Sequence, residues 1–140
     1  MNNIDRSEMS SKDAITEAGT STVQYDHEHD VRPWGTFTVL EEGKHYKVKN
    51  ITVLPQKRLS YQKHARRCEH WIVVQGSGVV TLNDRDQAVN VGDKVDVPIG
   101  TSHRIQNPGP ETLIFIEVQR GEYLGEDDIV RLEDDFGRAV

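Results

Sequence analysis

The segment QKHARRCEHWIVVQG, residues 62–76, combines metal-capable side chains with the most apolar run of the chain. Gln62 and His64 share one face of a strand, because alternate side chains point the same way. Glu69 opens the apolar run, and a turn at residues 65–68 would fold that run back as a hairpin beside His64. The segment therefore indicates either a metal held inside a β-barrel or a charged turn between two strands.

Short runs rich in Val, Ile, Thr and Tyr lie on both sides of this segment, among them GTFTVL, YKVKNITVL, GVVTL, KVDVP and TLIFIEVQ. Turn sequences such as LPQK, NDRD and NPGP separate them. Many short strands with Gly and Pro between them are typical of all-β sandwiches and barrels. Only residues 125–137, GEDDIVRLEDDFG, carry a helix-like pattern, and we predict one or two helical turns there.

The chain has 140 residues, enough for one domain with a modest core. Residues 1–30 are polar and show no sustained period. Such a segment buries too little apolar surface to offset its ordering entropy. We therefore predict a mostly disordered tail at residues 1–30 and a folded domain at residues 31–140.

The net charge of −6 argues against nucleic acid or an anionic membrane as a partner. The single cysteine, Cys68, excludes an intramolecular disulfide. The start, MNNIDRSEMSSKD, lacks the basic residues and apolar run of a signal peptide, and no segment has the roughly 20 apolar residues of a membrane helix. We expect a cytoplasmic protein.

A further metal-capable side chain lies in GDKVDVPIGTSHRIQN, residues 92–107. Gly92 and Gly100 can make turns, Pro98 can end a strand, and His103 starts the next one. His103 is therefore the candidate ligand from outside the hairpin.

These spacings resemble the two sequence patterns of the cupins. The first pattern is Gly, five residues, His-x-His, three or four residues, Glu, six residues and Gly. The second is Gly, five residues, Pro-x-Gly, two residues, His, three residues and Asn. This chain supplies Gln56, Gln62-Lys63-His64, Glu69 and Gly76 for the first and Gly92, Pro98-Ile99-Gly100, His103 and Asn107 for the second.

The second pattern is met at every spacing, and the first has Gln56 in place of Gly and Gln62 in place of the first His. The resemblance implies a double-stranded jelly-roll barrel. It also implies a metal site, with four ligands: Gln62, His64, Glu69 and His103.

Longer segments, RPWG, LSYQKH, EHWIVVQG, HRIQNPG and LIFIEVQRGEYLGEDDIVRLEDDFGR, are together similar to the C-terminal cupin domain of type II mannose-6-phosphate isomerases. The resemblance covers residues 31–138 and includes the Gln at position 62. The chain departs at Ala65 and Arg66, where the family usually has His, and at Cys68. The family often carries a guanylyltransferase domain before the cupin. We expect no such activity here, because the Gly-rich start of that domain is absent and the chain is too short to hold it.

The resemblance implies interconversion of mannose 6-phosphate and fructose 6-phosphate through an enediol, within carbohydrate metabolism and polysaccharide biosynthesis. One divalent ion would polarise the carbonyl. Zinc, manganese, cobalt, iron and nickel all suit this donor set, and the sequence does not choose among them. Arg67 matches an arginine that these isomerases place two residues before the Glu, and we expect it to neutralise the enediolate or the substrate phosphate. Lys63, Arg66 and Arg104 are further candidates for binding the phosphate.

Strand alternation suggests Glu117 as the base that removes the proton from C2. It lies on the mixed face of the strand TLIFIEVQ, whose other face is wholly apolar. A mixed face is expected of a strand that lines a substrate cavity, where a carboxylate can accept a proton. The alternative is that Glu117 faces solvent or pairs with Lys47 or Lys49.

Two functions stay open at this point. The first is a stand-alone isomerase, and the second is a non-catalytic sugar- or sugar-phosphate-binding regulatory cupin descended from such an enzyme, which Ala65 and Arg66 suggest. A cupin dioxygenase is less favoured, because Gln62 removes one of the three His that such sites usually keep. Cupins commonly pair through strand edges, and we expect a homodimer.

Overall fold

The computed structural model describes residues 29–137. Residues 1–28, which hold most of the predicted disordered tail, and residues 138–140 lie outside the described part. The predicted boundary after residue 30 falls within the first strand, His29–Arg32.

The described residues form eleven strands and no helix. They are β1 (His29–Arg32), β2 (Gly35–Glu42), β3 (Tyr46–Val53), β4 (Tyr61–Lys63), β5 (Arg67–Gln75), β6 (Ser77–Leu82), β7 (Arg85–Asn90), β8 (Lys94–Val97), β9 (His103–Gln106), β10 (Leu113–Gly121) and β11 (Val130–Glu133). A six-stranded sheet has the order β1-β2-β3-β10-β5-β8, and a five-stranded sheet has the order β11-β4-β9-β6-β7. All pairings are antiparallel, so the predicted all-β jelly roll is confirmed. Nothing in residues 29–137 could serve as a membrane-spanning helix.

The predicted C-terminal helical segment is wrong. Val130–Glu133 is strand β11, which pairs antiparallel with β4. The short strand β4 has β9 on one side only, so β11 satisfies backbone groups that β4 would otherwise leave unpaired. The local pattern of acids around a few apolar residues could not reveal this partner, because β4 is far away in the sequence.

The space between the sheets is apolar at one end and polar at the other. Its apolar end contains the fully buried residues Val53, Val73, Val80, Val89, Ile105, Leu113 and Phe115. Along β10 the inward side chains change from Leu113 and Phe115 to Glu117 and Gln119. The neighbouring strands change at the same level, because Glu117 lies opposite Lys49 of β3 and Gln119 lies opposite Glu69 of β5. Register therefore gathers the buried polar side chains at one end of the barrel.

Two turn positions explain the glycine pattern around this barrel. Gly76 has φ 79°, and a Cβ there would lie 2.6 Å from the carbonyl oxygen of Thr112, so the position requires glycine. Gln56, which stands where the cupin pattern has Gly, has φ 68°. Its side-chain amide donates to the carbonyl oxygens of Pro108 and Gly109, at 2.7 and 2.9 Å, and these bonds help hold a backbone conformation that glycine adopts more readily.

Candidate metal centre

Three of the four predicted ligands converge at the polar end of the barrel. His64 directly follows β4, Glu69 lies in β5, and His103 opens β9. Their donor atoms all lie within 4.8 Å of one another, and each residue is at most 3% exposed. The structure therefore brings these three residues together, as the sequence predicts.

Backbone carbonyls orient both imidazoles. Nδ1 of His64 lies 2.6 Å from the carbonyl oxygen of Asp128, and Nδ1 of His103 lies 2.9 Å from that of Thr101. A carbonyl only accepts hydrogen bonds, so each Nδ1 is the donor and each Nε2 carries the free lone pair. The two Nε2 atoms face the Glu69 carboxylate, at 3.2 Å from His64 and 3.7 Å from His103. This is the orientation that metal-ligating histidines require.

Both oxygens of the buried Glu69 carboxylate accept hydrogen bonds. Nε1 of Trp71 donates to one oxygen at 3.1 Å, and Nε of Arg67 donates to the other at 3.0 Å. Burial raises the pKa of Glu69, but the interactions with the neighbouring imidazoles and other polar groups outweigh it and hold this pKa well below its usual range. The carboxylate therefore stays ionised, the form that binds a cation.

Burial lowers the pKa of His103, against the opposing attraction of the Glu69 carboxylate. The imidazole is therefore neutral at physiological pH. Two neutral imidazole nitrogens and one carboxylate, buried and within reach of one point, fit a divalent first-row metal ion.

Gln62, the fourth predicted ligand, lies beside the other three. It lines a cavity between the two sheets that Glu69 and His103 also line. It is also the register partner of His103 across β4 and β9. Its amide nitrogen lies 2.9 Å from Oγ of Ser60, which fixes the orientation of the amide and leaves Oε1 free to act as a donor. Ligation by Gln62 stays a prediction.

Arg67 is buried against the cluster. Besides its bond to Glu69, its Nη2 lies 3.3 Å from Nε2 of His64. The guanidinium thus touches two of the three donors and stands beside any group bound among them.

Glu117 lines the same cavity and is 5% exposed. It does not face solvent, and Lys49 forms its ion pair with Glu126 at 2.7 Å instead. Nε2 of Gln119 donates to Glu117 at 2.9 Å. Burial first, and then the Glu69 carboxylate, raise the pKa of Glu117 well above its usual range. The two buried carboxyl groups therefore differ in character: the surroundings of Glu69 favour its ionised form, whereas those of Glu117 favour its protonated form.

The predicted phosphate contacts other than Arg67 lie away from this cluster. Lys63 and Arg66 are exposed and do not line the cavity. Arg66 stacks on the ring of Tyr123 and pairs with Glu122 at 3.4 Å, because the turn at residues 64–66 projects it outward. Arg104 borders the cavity, but it bonds the carbonyl oxygen of Leu59 and pairs with Glu133 at 3.0 Å.

Three contributors escaped the sequence analysis. Asp128 holds the turn beside His64, since its carboxylate accepts the backbone N–H groups of Ala65 and Arg66 at 2.9 Å each. Gln119 and Arg131 both line the cavity. The mixed face of β10 already contained Gln119, whereas reading residues 125–137 as helical hid the inward direction of Arg131.

Comparison with known proteins identifies the family of the chain. The family model "Mannose-6-phosphate isomerase C-terminal" matches residues 19–134. The chain is 46% identical over 125 residues to the Xanthan biosynthesis protein XanB of Xanthomonas campestris, covering 89% of this chain and 27% of that protein. It is 44% identical over 118 residues to the mannose-1-phosphate guanylyltransferase ManC of Salmonella typhimurium, covering 81% of this chain and 25% of that protein. The chain thus spans about a quarter of the length of the curated relatives it matches.

Solved structures share the fold. The capsular polysaccharide assembling protein CapF of Staphylococcus aureus superposes with a TM-score of 0.67 at 24% identity, covering 79% of this chain and 35% of that one. At this identity the likeness establishes the architecture alone.

Proposed function

Because the chain belongs to the family of mannose-6-phosphate isomerase C-terminal domains, we propose that it is a metal-dependent isomerase interconverting mannose 6-phosphate and fructose 6-phosphate. It is a cupin domain of a sugar-phosphate family whose curated relatives serve polysaccharide biosynthesis and mannose 1-phosphate chemistry. The observation that carries the proposal is the convergence of His64, Glu69 and His103 beside a cavity that Glu69, His103, Arg67 and Glu117 line.

The residues present suit one divalent ion, held by His64, Glu69 and His103 with Gln62 as the proposed fourth donor. When bound there, such an ion would supply Lewis acidity toward the substrate carbonyl. Zinc, manganese, cobalt, iron and nickel all accept this donor set.

Arg67 stabilises the negative charge that develops on the enediolate oxygens. Its guanidinium is buried, and a preorganised charge in a water-poor site acts more strongly than one in solvent. Its bond to Glu69, which Trp71 in turn holds in place, limits its freedom to move away from the reacting atoms.

Glu117 is proposed as the group that transfers the proton between C1 and C2, on the basis of its position in the cavity beside the cluster. We expect Glu117→Gln to bind metal as the parent does and to lower kcat by about 100-fold or more, because general acid–base groups contribute about 10²–10⁴-fold. Elemental analysis and initial rates check this. If the variant holds its metal and turns over at the parent rate, Glu117 is not the proton-transfer group.

A coupled isomerase assay tests the function itself. The purified protein should convert mannose 6-phosphate to fructose 6-phosphate, lose this activity with a chelator and regain it with added divalent metal. His103→Ala should bind no metal and show no activity, while its circular dichroism spectrum stays that of a β protein. Full activity of the chelated protein would refute the proposal.

A second candidate, a non-catalytic domain that binds sugar phosphates, is favoured by one observation. Arg67 already neutralises the charge of Glu69 and touches His64. The charges of the cluster therefore balance within the protein. Metal-loaded protein that binds mannose 6-phosphate without turnover would identify this second function.

A further inference from the structure

The cavity carries more positive than negative side chains, and most of its cations have an acidic partner. Arg67 pairs with Glu69 at 3.0 Å, Lys49 with Glu126 at 2.7 Å, and Arg104 with Glu133 at 3.0 Å. These cations are neutralised within the protein. The phosphate of a ligand therefore gains less from these three cations than from a cation without an acidic partner.

Two cavity-lining arginines, Arg131 and Arg32, have no acidic partner among residues 29–137. Nε of Arg131 is buried and makes no hydrogen bond within this part of the chain. Arg32 contacts the carbonyl oxygen of Val31 and lies 4.8 Å from the ring centre of Phe37. A buried donor on a charged group without an acceptor costs free energy, so an acceptor brought by a ligand would bind strongly there.

The register of the five-stranded sheet aims Arg131 at the site. Arg131 lies opposite Gln62, and Gln62 lies opposite His103. Residues directly opposite each other in antiparallel strands share a face, so Arg131 projects to the same side as the metal cluster. Two strand spacings, about 10 Å in all, separate its backbone from that of His103.

Arg32 approaches the same cavity from the other sheet. It lies in β1, an edge strand of the six-stranded sheet, and Arg131 lies in β11, an edge strand of the five-stranded sheet. Both side chains line one cavity, so two cations from different sheets face it.

We propose that Arg131, assisted by Arg32, binds the phosphoryl group of the substrate; this inference rests on the proposed function. The planar guanidinium matches two phosphate oxygens at once, and the doubly charged phosphate neutralises both arginines. With the carbonyl end of the substrate at the metal cluster, the phosphate must be at the far end of the sugar. The site therefore selects open-chain hexose 6-phosphates and rejects hexose 1-phosphates.

Calorimetric titration of the metal-supplemented full chain tests this directly. Mannose 6-phosphate should bind, and mannose and mannose 1-phosphate should bind at least about 10-fold more weakly. Arg131→Gln should weaken mannose 6-phosphate binding by about 10- to 100-fold, the usual consequence of losing hydrogen bonds to a charged group. Arg131→Lys should recover part of the loss, because lysine keeps the charge without the bidentate geometry.

Arg66→Gln is the matched control, since it removes the same charge from an exposed arginine outside the cavity, and its binding should equal that of the parent. Thermal unfolding of each variant shows whether it is folded; if Arg131→Gln is not, Arg32→Gln and Arg131→Lys carry the comparison. Equal binding of mannose 6-phosphate to the parent and to the folded Arg131 and Arg32 variants overturns the inference, as does a parent that binds mannose 1-phosphate equally well.

The outcome separates this inference from the proposed function. If mannose 6-phosphate binding depends on Arg131 but the protein shows no turnover, the phosphate site is supported and the isomerase function is refuted. If the parent turns over and Arg131→Gln has an unchanged KM, the isomerase function is supported and the phosphate site is refuted.

Discussion

Glu69 is the residue on which the polar end of the barrel depends. It meets two histidines, one arginine and one tryptophan, each within hydrogen-bonding or ion-pair distance: His64, His103, Arg67 and Trp71. In the metal-free protein its charge is balanced chiefly by Arg67, and both side chains are at most 5% exposed. Such a pair contributes little net stability as a unit but costs much when one half is removed.

We therefore expect Glu69→Ala to lower the free energy of unfolding of the chelated protein by about 3–5 kcal/mol, because it leaves the Arg67 charge buried without a partner. The double variant Glu69→Leu with Arg67→Met should be much closer to the parent. Urea denaturation in chelator measures both.

The exposed pair of Arg66 and Glu122 offers the control for that experiment. Glu122→Ala should change stability by less than about 1 kcal/mol, because exposed ion pairs are weak. A Glu69→Ala loss as small as that of Glu122→Ala would contradict the interpretation of a desolvated pair.

At the scale of elements, the connection between β10 and β11 holds the candidate metal ligand His64 in place. The carbonyl oxygen of Asp128 orients His64, and its carboxylate holds the turn that follows β4. Leu124 anchors the connection, since it is 9% exposed and its carbonyl oxygen accepts a bond from Lys47 at 3.3 Å. Asp128 thus positions the ligand His64 without being a ligand itself.

Asp128→Ala should weaken metal binding by about 10- to 100-fold, the usual effect of losing a group that supports a ligand. Competition with a metal-sensitive dye measures the affinity. Asp127→Ala is the control, because the neighbouring carboxylate is exposed and bonds only Tyr123 within the described structure. Equal affinities of the two variants would show that the turn holds His64 without Asp128.

At the scale of the whole molecule, the outer face of the six-stranded sheet carries a stripe of apolar side chains. Ile116 lies opposite Ile72, and Val118 lies opposite Val48, all on the side away from the cavity. Ile72 is 36% and Val74 is 46% exposed, so this stripe is only partly covered by its own chain. A second copy that brings the same stripe would cover it and bury the same kind of surface on both sides.

We expect a homodimer that Ile72→Glu converts to monomer, because a charge at the centre of an apolar contact is left without water or partner. Light scattering at micromolar concentration measures the mass. Leu132→Glu, at a similarly exposed position on the other sheet, should leave the dimer intact. A monomeric parent would refute this prediction.

The sequence was enough to predict the all-β architecture, and its resemblance to the cupin patterns identified three residues that lie together in the structure, His64, Glu69 and His103. The architecture follows from short-range regularities: alternation within a strand and turns that require particular backbone angles. The hairpin predicted for residues 62–76 is wrong, because β4 and β5 lie in different sheets and Glu69 meets His64 between the two sheets. The departure at Gln56 was visible in the sequence too, although only the structure shows the side-chain bonds that accompany its backbone angle.

Only the tertiary structure decided which cations face the cavity. Lys63, at the end of β4, and Arg66, in the turn that follows it, are close to the ligands in sequence, yet both are exposed. Arg131 is distant in sequence and reaches the cavity through the pairing of β11 with β4. The physical reason is that a local pattern fixes which side chains share a face of one strand. Which strand lies beside it, and in what register, is set by backbone hydrogen bonds between segments far apart in the chain.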